Sequence, residues 1–139
     1  MKNIYKYILS LLGIGIIVFL ITWQVVFKKS DSSVKNSKAE FEIEATQILN
    51  QFETNEELAN TQYLGKVIIV IGTLESFKET PNDISLYIKQ ETDMSGILCS
   101  FDKSAIDITK LQTGSQIKVK GICTGYLIDV VLNKCVLEE

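Results

Sequence analysis

From Lys66 to Leu137 the chain holds five short runs rich in apolar residues, separated by turn residues, the first continuously apolar and the second alternating cleanly with polar positions. The first run, Lys66 to Glu79, begins Val67-Ile68-Ile69-Val70-Ile71, β-branched throughout. Gly72 in its middle is expected to permit a bend. Pro81-Asn82-Asp83 reads as a turn. The second run sets Ile84, Leu86 and Ile88 on one face and Ser85, Tyr87 and Lys89 on the other. The third places Ile97, Cys99 and Phe101 together, and Asp102 to Leu111 then predicts a short helix with Ile106 and Leu111 facing in. In the fourth, Ile117, Val119, Gly121 and Cys123 share a face while Lys118 and Lys120 point out. Thr124-Gly125-Tyr126 begins the turn to the last run, Asp129 to Leu137.

Two longer periodicities precede these runs. Phe41, Ala45, Ile48, Leu49, Phe52 and Leu58 recur at helical spacing, so one amphipathic helix is expected from Ala39 to Asn60, its apolar stripe capping one end of the sheet. Residues 7–27 carry no charge. As a helix they would span roughly 30 Å, one hydrocarbon core, with Tyr5, Tyr7 and Trp23 near the interfaces. A cleaved signal peptide is the alternative, but the run is long for one and no small-residue cleavage site follows.

Five strands with a helix between the third and fourth is the order of an OB-fold, a small Greek-key barrel. The expected class is therefore all-β: a five-stranded OB-fold barrel with a preceding helix, a short helix between strands three and four, and one amino-terminal transmembrane helix. The domains are an anchor at 1–27, a polar linker at 28–38, an amphipathic helix at 39–62 and the barrel at 63–139. A basic start, Lys2 and Lys6, favours export of the carboxy-terminal domain, whereas Lys28, Lys29, Lys35 and Lys38 oppose it. The localisation expected is a bacterial membrane, single-pass, with the barrel outside the cytoplasm.

Charge changes the functional picture. The net charge of -3 hides a split: residues 39–139 hold eight lysines against sixteen acids, a net -8. Over residues 66–139 the balance is only -2. There is no histidine and no arginine, which removes the usual general base and the bidentate phosphate fork. Ser95 and Ser100 have no histidine to activate them, no Gly-rich phosphate loop appears, and the cysteines lack Cys-x-x-Cys spacing. No catalytic residue, metal ligand or cofactor is expected.

The chain resembles the bacterial OB-fold family described as similar to the anticodon-binding tRNA-anti domains. The residues that carry the resemblance are Phe52, Asn55-Glu56-Glu57-Leu58-Ala59-Asn60 and Tyr63, then Gly65-Lys66-Val67, Gly72, Cys99 and Phe101. Most specific are Gly114, Val119-Lys120-Gly121, Cys123-Thr124-Gly125-Tyr126, Asp129-Val130-Val131-Leu132 and Cys135. The resemblance spans roughly residues 48–137 and implies the OB-fold; its link to nucleic acid lies in name and fold.

Tyr87, Lys89, Lys118, Lys120 and Tyr126 are the candidate ligand-binding residues, outward on their strands and able to stack or to meet phosphate. The acidic domain nevertheless makes nucleic acid an unlikely partner on this reading. The expected function is a membrane-anchored envelope module binding a protein, peptide or envelope component. Single-stranded nucleic-acid binding is the alternative, and a small hydrolase or other enzyme the second. In an OB barrel the third and fifth strands are parallel neighbours. A Cys99–Cys135 disulfide with Cys123 free is therefore expected, against a Cys123–Cys135 bridge or three free thiols.

Overall fold

The computed structural model describes residues 13, 15–17, 19 and 34–138. Most of the expected membrane segment 7–27 lies outside these residues. Among those described, no helix is long and apolar enough to cross a membrane. The sheet lies wholly in the unit Ser32–Glu139.

Six strands and two helices build that unit: β1 Phe41–Glu44, α1 Ala45–Thr54, α2 Glu56–Tyr63, β2 Val67–Glu79, β3 Asp83–Ile88, β4 Ile97–Asp102, β5 Gln116–Tyr126 and β6 Val130–Glu138. The sheet order is β1-β2-β3-β4-β6-β5, and a β2–β5 pairing closes the last five strands into a barrel. All pairings in the barrel are antiparallel except β4–β6, which is parallel. The alternation read from the sequence positions the core: Ile68, Val70, Ile84, Leu86, Ile88 and Leu132 are all at most 2 % exposed. Each such side chain contributes about 1.5–3 kcal/mol relative to an exposed one.

Where structure and sequence pattern differ, local chemistry explains it. The expected helix Ala39–Asn60 is a strand and two helices. Phe41-Glu42-Ile43-Glu44 alternates as well as it fits a helix, and it pairs in parallel with Ile68–Ile71. Asn55 then breaks the helical run: its backbone is extended at φ -154° and its side chain accepts from the Leu58 N–H, capping α2. The expected helix Asp102–Leu111 is two 3-10 turns, Lys103–Ala105 and Ile108–Lys110. Asp102 and Asp107 cap them in succession, and two caps five residues apart leave no room for an α-helix. Ile106 and Leu111 still pack against the core.

The polar linker is not free to its end. Val34–Asn36 forms a 3-10 turn, and Val34, the one apolar residue of the stretch, is 3 % exposed. The Lys120 ammonium donates to the Lys35 carbonyl at 3.3 Å and fixes the turn. Gly72 supplies close approach rather than a bend. A Cβ there would overlap Ile88 and stand 2.8 Å from the Ala45 methyl. The irregularity of β2 falls instead at Glu75, between the pairs Leu74↔Ile88 and Ser76↔Tyr87.

The expected Cys99–Cys135 bridge is not formed in this structure. Cys99 and Cys135 are neighbours inside the barrel, but all three cysteines are buried free thiols.

Candidate nucleic-acid interface

The bulge at Glu75 decides what the barrel shows to solvent. Before it, the even-numbered residues of β2 face inward; after it, they face outward. Two rows therefore run across the outer face of β2, β3 and β4. One is Lys78–Ser85–Ser100, and the other is Ser76–Tyr87–Leu98, continued by Val131 of β6. No other element of the described residues pairs over these rows.

Tyr87 is the centre of the second row. Its hydroxyl donates to Asp129 Oδ1 at 2.8 Å, and the Gly96 N–H donates to the same oxygen at 2.8 Å. The ring packs on Gly96 so closely that a Cβ would overlap it, which explains why glycine is required there. Val130 N–H in turn donates to the Gly96 carbonyl at 3.0 Å. One carboxylate thus ties the β5–β6 hairpin to the loop before β4 and fixes the direction of the tyrosine. Burial, then the hydrogen bond to Asp129, then the charges of Asp129 and Glu75 push the phenol up to about 12. At neutral pH the hydroxyl is a permanent donor to that carboxylate, and the half-exposed ring is left for apolar contact.

Two cations flank this ring. Lys89 follows β3 at the next outward position after Tyr87, and Lys78 lies on β2 opposite Ser85. Neither is engaged in an ion pair among the described residues. Apolar side chains crowd the same end: Met94 in the loop before β4, and Leu127 and Ile128 in the hairpin, are 94 %, 90 % and 78 % exposed. Beyond Val131 lies an open groove of about 480 Å³ between Leu64 and the hairpin, lined also by Tyr126 and Leu127.

The other candidate residues have internal partners. Lys118 pairs with Glu42 at 2.7 Å. Lys120 is 8 % exposed, paired with Glu138 at 3.2 Å and bonded to the Lys35 carbonyl. The Tyr126 ring stacks on Phe52, with centroids 5.5 Å apart, and forms one wall of the groove. The structure brings together Tyr87 and Lys89 on one face and sets Lys118 and Lys120 on another. Lys78, Leu127 and Ile128 join the first face without having been singled out by sequence. Simple alternation along β2 sends Lys78 inward, and only the bulge turns it out. Among the described residues no group of His, Cys, Asp and Glu could hold a metal ion.

The fold defines a class, an OB-fold binding module. The chain belongs to the tRNA_anti-like family, which matches residues 1–137. Among solved structures it is similar to a lipoprotein of Klebsiella pneumoniae, 17 % identical, with 79 % of this chain and 98 % of that chain covered at a TM-score of 0.60. It is more distantly similar to an asparaginyl-tRNA synthetase of Pyrococcus horikoshii, 20 % identical, covering 50 % of this chain and 18 % of the synthetase at a TM-score of 0.38. No curated protein matches the chain.

Family membership overturns the expectation that nucleic acid is an unlikely partner. That expectation rested on net charge, and the acids are not spread evenly. Glu40 and Glu42 are taken up by Lys66 and Lys118, away from Tyr87. Asp129 and Glu75 do stand at Tyr87, with Asp129 engaged by the tyrosine hydroxyl and the Gly96 N–H. Local potential, not the sum over the domain, meets a ligand.

Proposed function

We propose that the barrel binds single-stranded nucleic acid across the outer face of β2, β3 and β4. The observation that carries this reading is Tyr87: a half-exposed ring held in one direction by Asp129, with Lys89 and Lys78 beside it and their charges unspent. An aromatic ring with a few cations is the arrangement that lets any base stack while the backbone is neutralised. The hydroxyls of Ser76, Ser85 and Ser100 add hydrogen-bonding groups in the same rows. The exposed Leu127, Ile128 and Met94 give apolar surface for further unstacked bases. The family name supports the reading, as does the printed description of the Klebsiella relative as a "putative nucleic acid-binding lipoprotein". With two lysines and no arginine on the face, the binding is weak, sequence-tolerant and only shallowly dependent on salt.

Fluorescence anisotropy with labelled single-stranded DNA and RNA at low salt tests this directly. Tyr87→Ala is expected to raise Kd by roughly 5- to 150-fold, the equivalent of one lost base stack of about 1–3 kcal/mol. Tyr87→Phe should keep most of the affinity, since the ring remains. Equal binding by wild type and Tyr87→Ala, or no binding by wild type at low salt, would remove Tyr87 as the platform.

A further inference from the structure

The barrel interior holds a pair of nucleophiles that the binding face does not use. Cys99 lies on the inward row of β4, in register beside Leu132 of the parallel strand β6. Past Leu132, β6 bulges: Ile122 pairs with Asn133 but Lys120 pairs with Val136, and Lys134 adopts a left-handed backbone at φ 53°. The bulge returns Cys135 to the inward face opposite Gly121. A Cβ on Gly121 would stand 2.6 Å from the Cys135 Sγ, so the glycine makes the space the sulfur occupies. Cys99 and Cys135 are 0 % and 1 % exposed, and Leu132, the register partner of Cys99, shares with the Cys135 sulfur the space over Gly121. Three features of sequence, a glycine, a left-handed lysine and two cysteines, converge on one pair of sulfurs.

We propose that Cys99 and Cys135 are a disulfide-forming pair, oxidised by a small-molecule or protein disulfide while the barrel is still open and sealed from further exchange once it closes. The step balances as thiol–disulfide exchange. The thiolate of one cysteine attacks a sulfur of the oxidant, forming a mixed disulfide and releasing one oxidant thiolate. The second cysteine, deprotonated, attacks the protein-bound sulfur, the Cys99–Cys135 bond forms and the second oxidant thiolate leaves. Two electrons pass to the oxidant, and the two thiol protons go to the released thiolates or to solvent. The timing follows from burial. In the closed barrel neither sulfur meets solvent, and the neighbouring Cys135 together with burial holds the Cys99 thiol well above its ordinary range, so almost no thiolate exists to react. Cys123 lies on β5, and its backbone is engaged with Lys66 and Gly65. It remains a thiol. The bond would join β4, which carries part of the binding face, to β6, whose entrance holds Asp129.

The full chain, unfolded and reduced, is refolded in a glutathione redox buffer, alkylated and mapped by non-reducing peptide mass spectrometry. The expected product links the Cys99 and Cys135 peptides, two hydrogens lighter than their sum, with Cys123 alkylated. Reduced chain that is already folded, placed in the same buffer, should form the bond on the order of ten-fold more slowly or not at all. The Cys123→Ala chain should form the same link. A bridge containing Cys123, or three alkylated cysteines after oxidative refolding, overturns the pairing. Equally fast oxidation of the folded chain overturns the sealing. Both readouts come from the wild-type chain, so neither depends on a variant folding.

Discussion

The two outward faces of the barrel carry the same residue types and use them in opposite ways. On β5 and β6, Lys118 and Lys120 stand at alternate outward positions, as a solvated strand face would have them. Glu42 and Glu138 neutralise them, and the Val34–Asn36 turn is held against Lys120. On β2 and just past β3, Lys78 and Lys89 stand at outward positions near an aromatic ring, and among the described residues no carboxylate pairs with them. The difference teaches that the spacing of a lysine on a strand says which way it points, while the neighbouring strand and the incoming chain decide whether its charge remains available.

The sharpest test of that contrast is stability. Lys120→Glu puts a second carboxylate beside Glu138 with no cation and little water, and is expected to cost roughly 3–5 kcal/mol of folding stability. Lys78→Glu, on the open face, should change it by no more than about 0.5 kcal/mol. Urea unfolding of the two variants measures both. A Lys120→Glu protein as stable as Lys78→Glu would erase the distinction between the faces.

A smaller effect separates the same lysines in binding. Each of Lys78→Gln and Lys89→Gln should flatten the slope of log affinity against log salt by roughly 0.7, the loss of one phosphate contact on a single strand. Lys118→Gln should leave the slope unchanged, because Glu42 already holds that charge. If Lys118→Gln flattens it instead, the nucleic acid runs over the β5 side.

The smallest effect is confined to alkaline pH. The folded state holds the Tyr87 proton more tightly than the unfolded chain does, with a pKa of about 12 against an ordinary 10.0. The resulting stabilisation is fully present below about pH 10 and is lost as pH rises through about 12. Tyr87→Phe should remove this share of the alkaline destabilisation. Asp129→Asn should bring the phenol only part of the way back, because burial is the larger cause. Tyrosinate absorbance during titration of wild type and both variants follows it. A wild-type curve with every tyrosine titrating near its ordinary value would show that the Asp129 carboxylate does not grip the hydroxyl in solution.

The barrel was legible because its strands are half-buried and a period of two survives in them. Ile84, Leu86 and Ile88 can face only one way, and the turn residues mark each end. What escaped were features in which two patterns fit or none does. Phe41-Glu42-Ile43-Glu44 satisfies a strand and the start of a helix alike, and only its pairing with Ile68–Ile71 chooses. Asn55 is an ordinary polar residue until its side chain caps Leu58. Val34 is one apolar residue in a polar stretch, too little to signal docking. At the site, Tyr87 and Lys89 followed from alternation. The Glu75 bulge hid Lys78, and no local signal joins Tyr87 to Asp129, which lies 42 residues further along the chain. Lys118 and Lys120 were read as outward lysines open to solvent, but their partners, Glu42 and Glu138, come from distant parts of the sequence, and Lys120 is 8 % exposed.

The placement of β6 between β4 and β5 bears on how the molecule fails as well as how it stands. The strand makes a parallel ladder on one side and an antiparallel one on the other, so its loss uncovers two unpaired edges instead of one. A chain interrupted within the Leu127–Asp129 hairpin would present the apolar inner rows of β4 and β5 with their backbone groups unsatisfied, a template for pairing with a second damaged copy. The parallel ladder also joins residues far apart in sequence, so it forms only after a long loop has closed. Slow closure keeps those edges open during folding, and the crowding of chains at that stage, more than the strength of the finished core, would set how much reaches the native state.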